Sequence, residues 1–293
     1  MKRIAFTLLI AMFLNIANAF AQGGTTGPLT WNIADGVLTI SGEGAMPDYG
    51  YMHGMIPPWN GYHRDITTVV IENEVTHIGD FAFAGLDWSS YSITSITLPN
   101  NLTSIGSGAF WYCRDLTLIT LPNKITNIKG GAFRDCSNLT SITLPNGITS
   151  IQGLTFLGCD NLASITLPSS ITRIGEFAFC GCRKLTSITL PKSIENIENQ
   201  SFAYCSTLTL ITNLNPIPID INSDVFENIN VSACTLEVPI HSVSAYKNAE
   251  VWKEFNIVGI EVGIVETDNY PSLRIFPNPT NGKWRIDNGE LTI

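Results

Sequence analysis

Charge is scarce in this chain. Only 14% of its 293 residues are Asp, Glu, Lys or Arg, and 25 acidic residues outnumber 16 basic ones. Nucleic acid is held by Lys/Arg clusters that displace counterions, so an acidic chain with no basic stripe is excluded from that class. Histidine is also rare: His53, His63, His77 and His241 are the four. None has a histidine four residues on, and none stands in a Cys or carboxylate cluster at ligand spacing, so all four read as loop or end-segment residues and no metal site is expected. There is no G-x-S-x-G elbow, no phosphate-cradling glycine loop and no carboxylate pair set apart for acid–base work. The chain therefore reads as a non-enzyme that needs no cofactor. Beyond its first residues it has no run of about 18 apolar residues, so no membrane span is expected in the mature chain.

The N-terminus has its own character. Met1-Lys2-Arg3 precedes an apolar run from Ile4 to about Ile16, and Ala19-Phe20-Ala21 offers small residues before Gln22. A positive head, a short apolar stretch and an A-x-A end describe a secretory signal peptide over residues 1–21. Gln22 rather than Cys follows, which argues against lipid attachment. Losing Lys2 and Arg3 takes the net charge from −9 to −11.

What dominates is self-similarity. Leu139-Thr-Ser-Ile142-Thr-Leu144-Pro145 recurs at Ile93, Leu116, Leu162 and Leu185, each step 23 residues. A looser copy at Ile66 precedes Ile93 by 27 residues, the excess falling between Gly85 and Ser92, and a decayed copy starts at Leu208. Phe83, Phe110, Phe133, Phe156, Phe179 and Phe202 hold one column of the register. Ile78, Ile105, Ile128, Ile151, Ile174 and Ile197 hold another, and Cys113, Cys136, Cys159, Cys182 and Cys205 a third.

One repeat reads as a short strand. Ile142 and Leu144 are two apart and point inward, while Thr143 points out. Pro145 lacks an N–H and stops the ladder. No single repeat can bury its own Phe and Ile, so neighbours must stack about 4.8 Å apart. The expected fold is a β-rich repeat solenoid of short parallel strands with a 23-residue period.

The unit L-T-S-I-T-L-P-x-x-I-T-x-I-x-x-x-A-F-x-x-C resembles the BspA-like leucine-rich repeat of bacterial surface proteins. The likeness covers residues 66–207, six repeats. It departs from the general leucine-rich signature in having no Asn nine residues into the repeat. It implies a secreted or cell-surface interaction protein whose partner is an extracellular protein or glycan.

The ends follow other patterns. In residues 22–65, Asp35-Gly36 separates the alternating runs Leu29–Ile33 and Val37–Ile40, a hairpin signal. This stretch resembles the segment that precedes such repeats, and reads as an N-terminal cap with Trp31 and Trp59 buried; a sugar-binding aromatic site is the alternative. Residues 208–260 read as a degenerate repeat and a C-terminal cap. There a strand at Leu236–Pro239 leads into a helix from Val243 to about Phe255, with Ser242 at its start. Residues 261–293 read as a linker and tail. Within it, Ser272-Leu-Arg-Ile-Phe-Pro-Asn-Pro-Thr280 resembles the opening of a type IX secretion sorting domain and stops short at Ile293.

Cysteines stacked in register point their Cβ atoms in parallel, whereas a disulfide needs them to converge, so buried free thiols are expected. Candidate binding residues are the outward column Thr97, Thr120, Thr143, Thr166 and Thr189. Ser95, Ser141, Ser164 and Ser187 lie beside it, and Leu118 interrupts that serine row. Threonine suits any exposed pleated surface, so this column fits plain strand propensity, a flat binding face or a row that orders water. Residues between the Phe and Cys columns vary, and Trp111 and Tyr112 there are candidate anchors. A structural coat component that self-associates through its lateral faces is the other functional class.

Overall fold

The computed structural model of the chain describes residues 22–50, 54–85 and 91–262, and the backbone of two short strands, Arg285–Asp287 and Glu290–Thr292. Residues 1–21, where a signal peptide is expected, Trp88 and the Pro277-Asn278-Pro279 segment, where a sorting-domain likeness is expected, lie outside the described residues.

The repeats wind as a parallel β-solenoid of about eight turns. Its register equals the sequence period. Ser141 pairs with Ser164, Ile142 with Ile165 and Thr143 with Thr166. Leu139, Ile142 and Leu144 are buried and Thr143 is exposed, as the period-two alternation of a strand requires. A second ladder runs along another side, where Ser150–Ile151 pairs with Arg173–Ile174 and that with Asn196–Ile197. The third side is made of turns. Here the backbone still bonds coil to coil, Phe110 N to Ala132 O at 2.9 Å and Phe156 N to Ala178 O at 2.8 Å.

The core is a set of columns. Phenylalanine rings from Phe83 to Phe226 stack with centroids 5.2 to 5.7 Å apart and planes within 14° of parallel. Trp59 stacks on Phe83 at one end, and Trp252 meets Phe226 edge-on at the other. Each cysteine of the third column is buried, and its thiol donates to a phenylalanine carbonyl of the preceding coil, as Cys159 Sγ does to Phe133 O at 3.1 Å. All seven cysteines are free thiols.

Ahead of the repeats, Leu29–Ala34 and Val37–Gly42 form the expected hairpin, and Gln22–Thr26 adds to its outer edge. Asp35 and Gly36 both take positive φ, 49° and 77°, as a two-residue turn of this hand demands. Val37–Gly42 then pairs parallel with Thr68–Ile71, joining the hairpin to the solenoid ladder. The sugar-binding alternative for Trp31 and Trp59 fails on burial. Trp59 is fully enclosed and donates its indole N–H to Ala82 O at 2.8 Å, and Trp31 is 8% exposed against it.

The last two coils carry parallel strands Thr235–Pro239 and Asn256–Ile260. Between them the expected helix is much shorter than the spacing suggested. It spans only Val243–Asn248, and Ser242 makes no side-chain cap bond. The chain then turns through Val251 at φ 66° into a 3-10 turn, Trp252–Glu254. Two deep hydrogen bonds account for the break. Tyr246 donates to Asn215 O and Trp252 to Ile219 O, and the backbone between them adjusts so that both rings reach the core.

Candidate binding faces

The first face is the strand ladder. Thr97, Thr120, Thr143, Thr166 and Thr189 are all exposed, one per coil. Their hydroxyls have no protein partner among the described residues, whereas Thr103 and Thr140, elsewhere in the repeat, donate to carbonyls one coil back. The ladder is interrupted in the coil of Thr120. Ile119 and Leu121 still point inward, but the coil forms no strand there and touches its neighbour through a single bridge, Leu118 to Ser141. Leu118 is 58% exposed where neighbouring coils carry serine. A groove of about 310 Å³ opens beside it, lined by Leu118, Thr120, Asn123, Ser141, Thr143 and Pro145 among others.

The second face is the turn column between the Phe and Cys ladders. Tyr112, Asp135, Gly158, Gly181 and Tyr204 occupy one position in five successive coils, all with positive φ. Tyr112 is not the exposed anchor expected. It is 8% exposed, lying under Trp111 at 5.1 Å and under the Arg114 guanidinium at 4.9 Å. Trp111 is half-buried, covered by Arg134 and donating to Asp135 Oδ2 at 3.2 Å. The exposed aromatic of the column is Tyr204, at 47%. Between these ends lies a groove of about 620 Å³, lined by Arg114, Asp135, Asp160, Gly181, Arg183 and Tyr204 with four neighbours.

A third cluster was not expected. His77 lies in the strand Val75–Ile78 rather than in a loop. There it meets Asp48 and Asp80, with ligating atoms of all three within 4.8 Å of one another, a spacing that could suit a metal ion. The three side chains already have partners. Asp48 Oδ1 accepts from Asp80 N at 2.8 Å and lies 3.4 Å from His77 Nε2, whose ring partner Nδ1 is 2.7 Å from Ser104 Oγ. Asp80 Oδ1 accepts from Ser107 N at 2.7 Å and from Lys129 Nζ at 2.9 Å. The Lys129 ammonium already pairs with the Asp80 carboxylate of this cluster. Burial pushes the Asp48 carboxyl up, but the Asp80 amide, His77 and Lys129 together hold it below its ordinary value. The hydrogen bond to Asp80 raises Lys129 against its partial burial. The cluster ties the segment at Pro47–Asp48 to the first coils. Gly79 permits this approach, since a Cβ there would lie 1.7 Å from Pro47 O. His77 and Asp80 share a local H-x-x-D spacing, but Asp48 comes from a segment outside the repeat, so no pattern announced it.

Stacked coils, a continuous phenylalanine ladder and parallel strands at a 23-residue register define a leucine-rich-repeat solenoid. The profile of the BspA type leucine rich repeat region matches in six copies, over residues 61–182 and 132–251. The chain belongs to this family of bacterial leucine-rich-repeat proteins. Among solved structures, it resembles a leucine rich cell surface protein of Faecalibacterium prausnitzii at 22% identity and a TM-score of 0.51, over 84% of this chain and 78% of that one. This likeness shows a shared fold. A leucine-rich repeat protein of Bacteroides ovatus matches at 22% identity and a TM-score of 0.43, over 73% of this chain and 70% of that one. The pneumococcal vaccine antigen PcpA matches at 13% identity and a TM-score of 0.42, over 83% of this chain and 99% of that one. Comparison with curated proteins finds no match. Among the described residues, no helix is long and apolar enough to cross a membrane.

Proposed function

We propose that the chain is an exported, non-enzymatic interaction protein that presents its strand face to an extracellular protein or glycan at the bacterial surface. The observation that carries this reading is the interrupted ladder at Leu118. A large apolar side chain is left exposed beside a groove, flanked by five threonine hydroxyls, one per coil, that have no protein partner among the described residues. An exposed apolar side chain within a polar surround offers a partner apolar area to bury, and the polar groups around it can fix orientation. Family membership and the N-terminal leader pattern support export. The face needs no cofactor, and Thr97, Thr120, Thr143, Thr166 and Thr189 are its contact residues.

A screen of the full chain against immobilised extracellular-matrix proteins and glycans tests this. The expected result is binding by the wild type that is lost when Thr120 and Thr143 are both changed to Lys with the circular dichroism spectrum unchanged. A second reading, a coat component without a specific ligand, rests on the last strand. Asn256–Ile260 pairs on one side only among the described residues, with Val258 42% exposed, and a second copy that added a strand there would assemble the coat. No binding in the screen, together with concentration-dependent assembly in solution, favours that reading.

A further inference from the structure

We propose that the groove on the turn face, between Arg114 and Tyr204, is a binding site for a neutral oligosaccharide. It lies on a different side of the repeat from the strand face and does not depend on it.

The groove exists because two successive coils omit a side chain. In the column Tyr112, Asp135, Gly158, Gly181, Tyr204, the flanking coils place rings or a carboxylate where the central pair carries only hydrogen. Tyr112 and Tyr204 are four coils apart, roughly 20 Å along the stack. At about 620 Å³ the space is of the size that small-molecule sites take.

Its chemistry selects the ligand. The floor's backbone is already used, since Asp135 N, Gly158 N and Gly181 N each donate to the carbonyl of the next coil at 2.7 to 2.9 Å. An extended peptide would find no main-chain donors there and could not add as a strand. The walls instead offer charged planar groups: Arg114, the exposed ion pair of Arg183 with Asp160 at 3.4 Å, and Asp135, which Arg134 neutralises from outside the groove. The charges that line the groove itself balance, which favours an uncharged ligand over an anionic one. Carboxylates and guanidinium forks bond two adjacent hydroxyls at once, the pattern that a sugar ring presents. Arg114 is held in position by its stacking on Tyr112 and makes no salt bridge among the described residues. Asp135 is fixed by Trp111 and Arg134. Tyr204 supplies an exposed ring whose electron-rich face suits the C–H side of a pyranose.

The test uses the full chain and a panel of neutral tetrasaccharides of glucose, mannose, galactose and N-acetylglucosamine, with a galacturonate tetramer and an extended polyserine peptide as contrasts. Binding is read by titration calorimetry and by protection of the half-buried Cys180, which lines the groove, from maleimide. At least one neutral tetrasaccharide should bind and slow Cys180 labelling. Tyr204→Ala should weaken it about tenfold. Gly181→Asn, a residue that tolerates positive φ, should abolish binding by filling the groove. Thr120→Lys with Thr143→Lys should leave sugar binding unchanged, which separates this site from the strand face. Absence of neutral sugar binding at about 10 mM would overturn the proposal. So would binding indifferent to both groove variants, or preference for the galacturonate or the peptide.

Discussion

The thiol of Cys136 donates to the carbonyl oxygen of Phe110 in the preceding coil at 3.1 Å. The same bond recurs from Cys113 to Phe83, Cys159 to Phe133, Cys182 to Phe156 and Cys205 to Phe179. The cysteine column is therefore both apolar filling and a ladder of donors, placed where no disulfide geometry arises. Cys136→Ala removes the sulfur and the bond together. It is expected to cost about 1–2 kcal/mol in urea unfolding, and a variant as stable as wild type would show that the column is dispensable.

Phe156 stacks between Phe133 and Phe179, fully buried. Because each coil touches only its neighbours, a hole in the middle disturbs two interfaces. Phe156→Ala should cost about 3–5 kcal/mol, whereas Thr166→Lys on the exposed face should stay within about 0.5 kcal/mol. Equal effects in chemical denaturation would contradict the division between core and display surface.

Thiol reactivity follows burial. Burial raises the Cys205 thiol to about 12 and Cys234 to about 11, and lifts Cys136, Cys159 and Cys182 well above the ordinary range. Cys180, half-buried, is raised as well, by burial and then by Glu227. With maleimide near pH 8, Cys180 should label first in the native protein, and the others only on unfolding. Several fast-labelling thiols in the folded chain would be inconsistent with the sealed column.

Acid should loosen the first coils through Asp48. Its folded pKa lies below the ordinary value, so its contribution is present at neutral pH and is lost as pH falls through the folded pKa. Lys129, raised in the fold, acts with the opposite sign, and its contribution fades only at strongly alkaline pH. Asp48→Asn should therefore be less stable than wild type at pH 7, with the gap narrowing as the pH falls beneath the ordinary carboxylate range and through the lowered folded pKa. A gap that is constant across this range would rule out the ionised carboxylate as the source.

The solenoid was legible because stacking forces every repeat to repeat its own chemistry. Ile142, Phe156 and Cys159 had to recur every 23 residues or the columns would not close. The Asp35-Gly36 turn was legible for a local reason, the demand for two positive φ values. What sequence could not give were relations outside the period. Tyr112 looked like an exposed anchor and is covered by Trp111 and Arg114, side chains that meet it through rotamers, not register. The helix expected to reach Phe255 ends at Asn248, because Tyr246 and Trp252 seek separate carbonyls in the core. Asp48 and His77 meet across 29 residues with no repeated spacing to announce them. Of the candidate binding residues, the threonine column was visible at once, while the break at Leu118 appeared only as an odd letter in a serine row.

The most direct measurement is a hydrogen–deuterium exchange footprint of the full chain, with and without the tightest-binding protein or glycan from the matrix screen. New protection is expected in the peptides that carry Leu118–Leu121 and Ser141–Leu144, with Leu118→Ser weakening the complex. Protection confined to the last strand, Asn256–Ile260, or binding unchanged by Leu118→Ser, would contradict the strand face as the surface this protein displays.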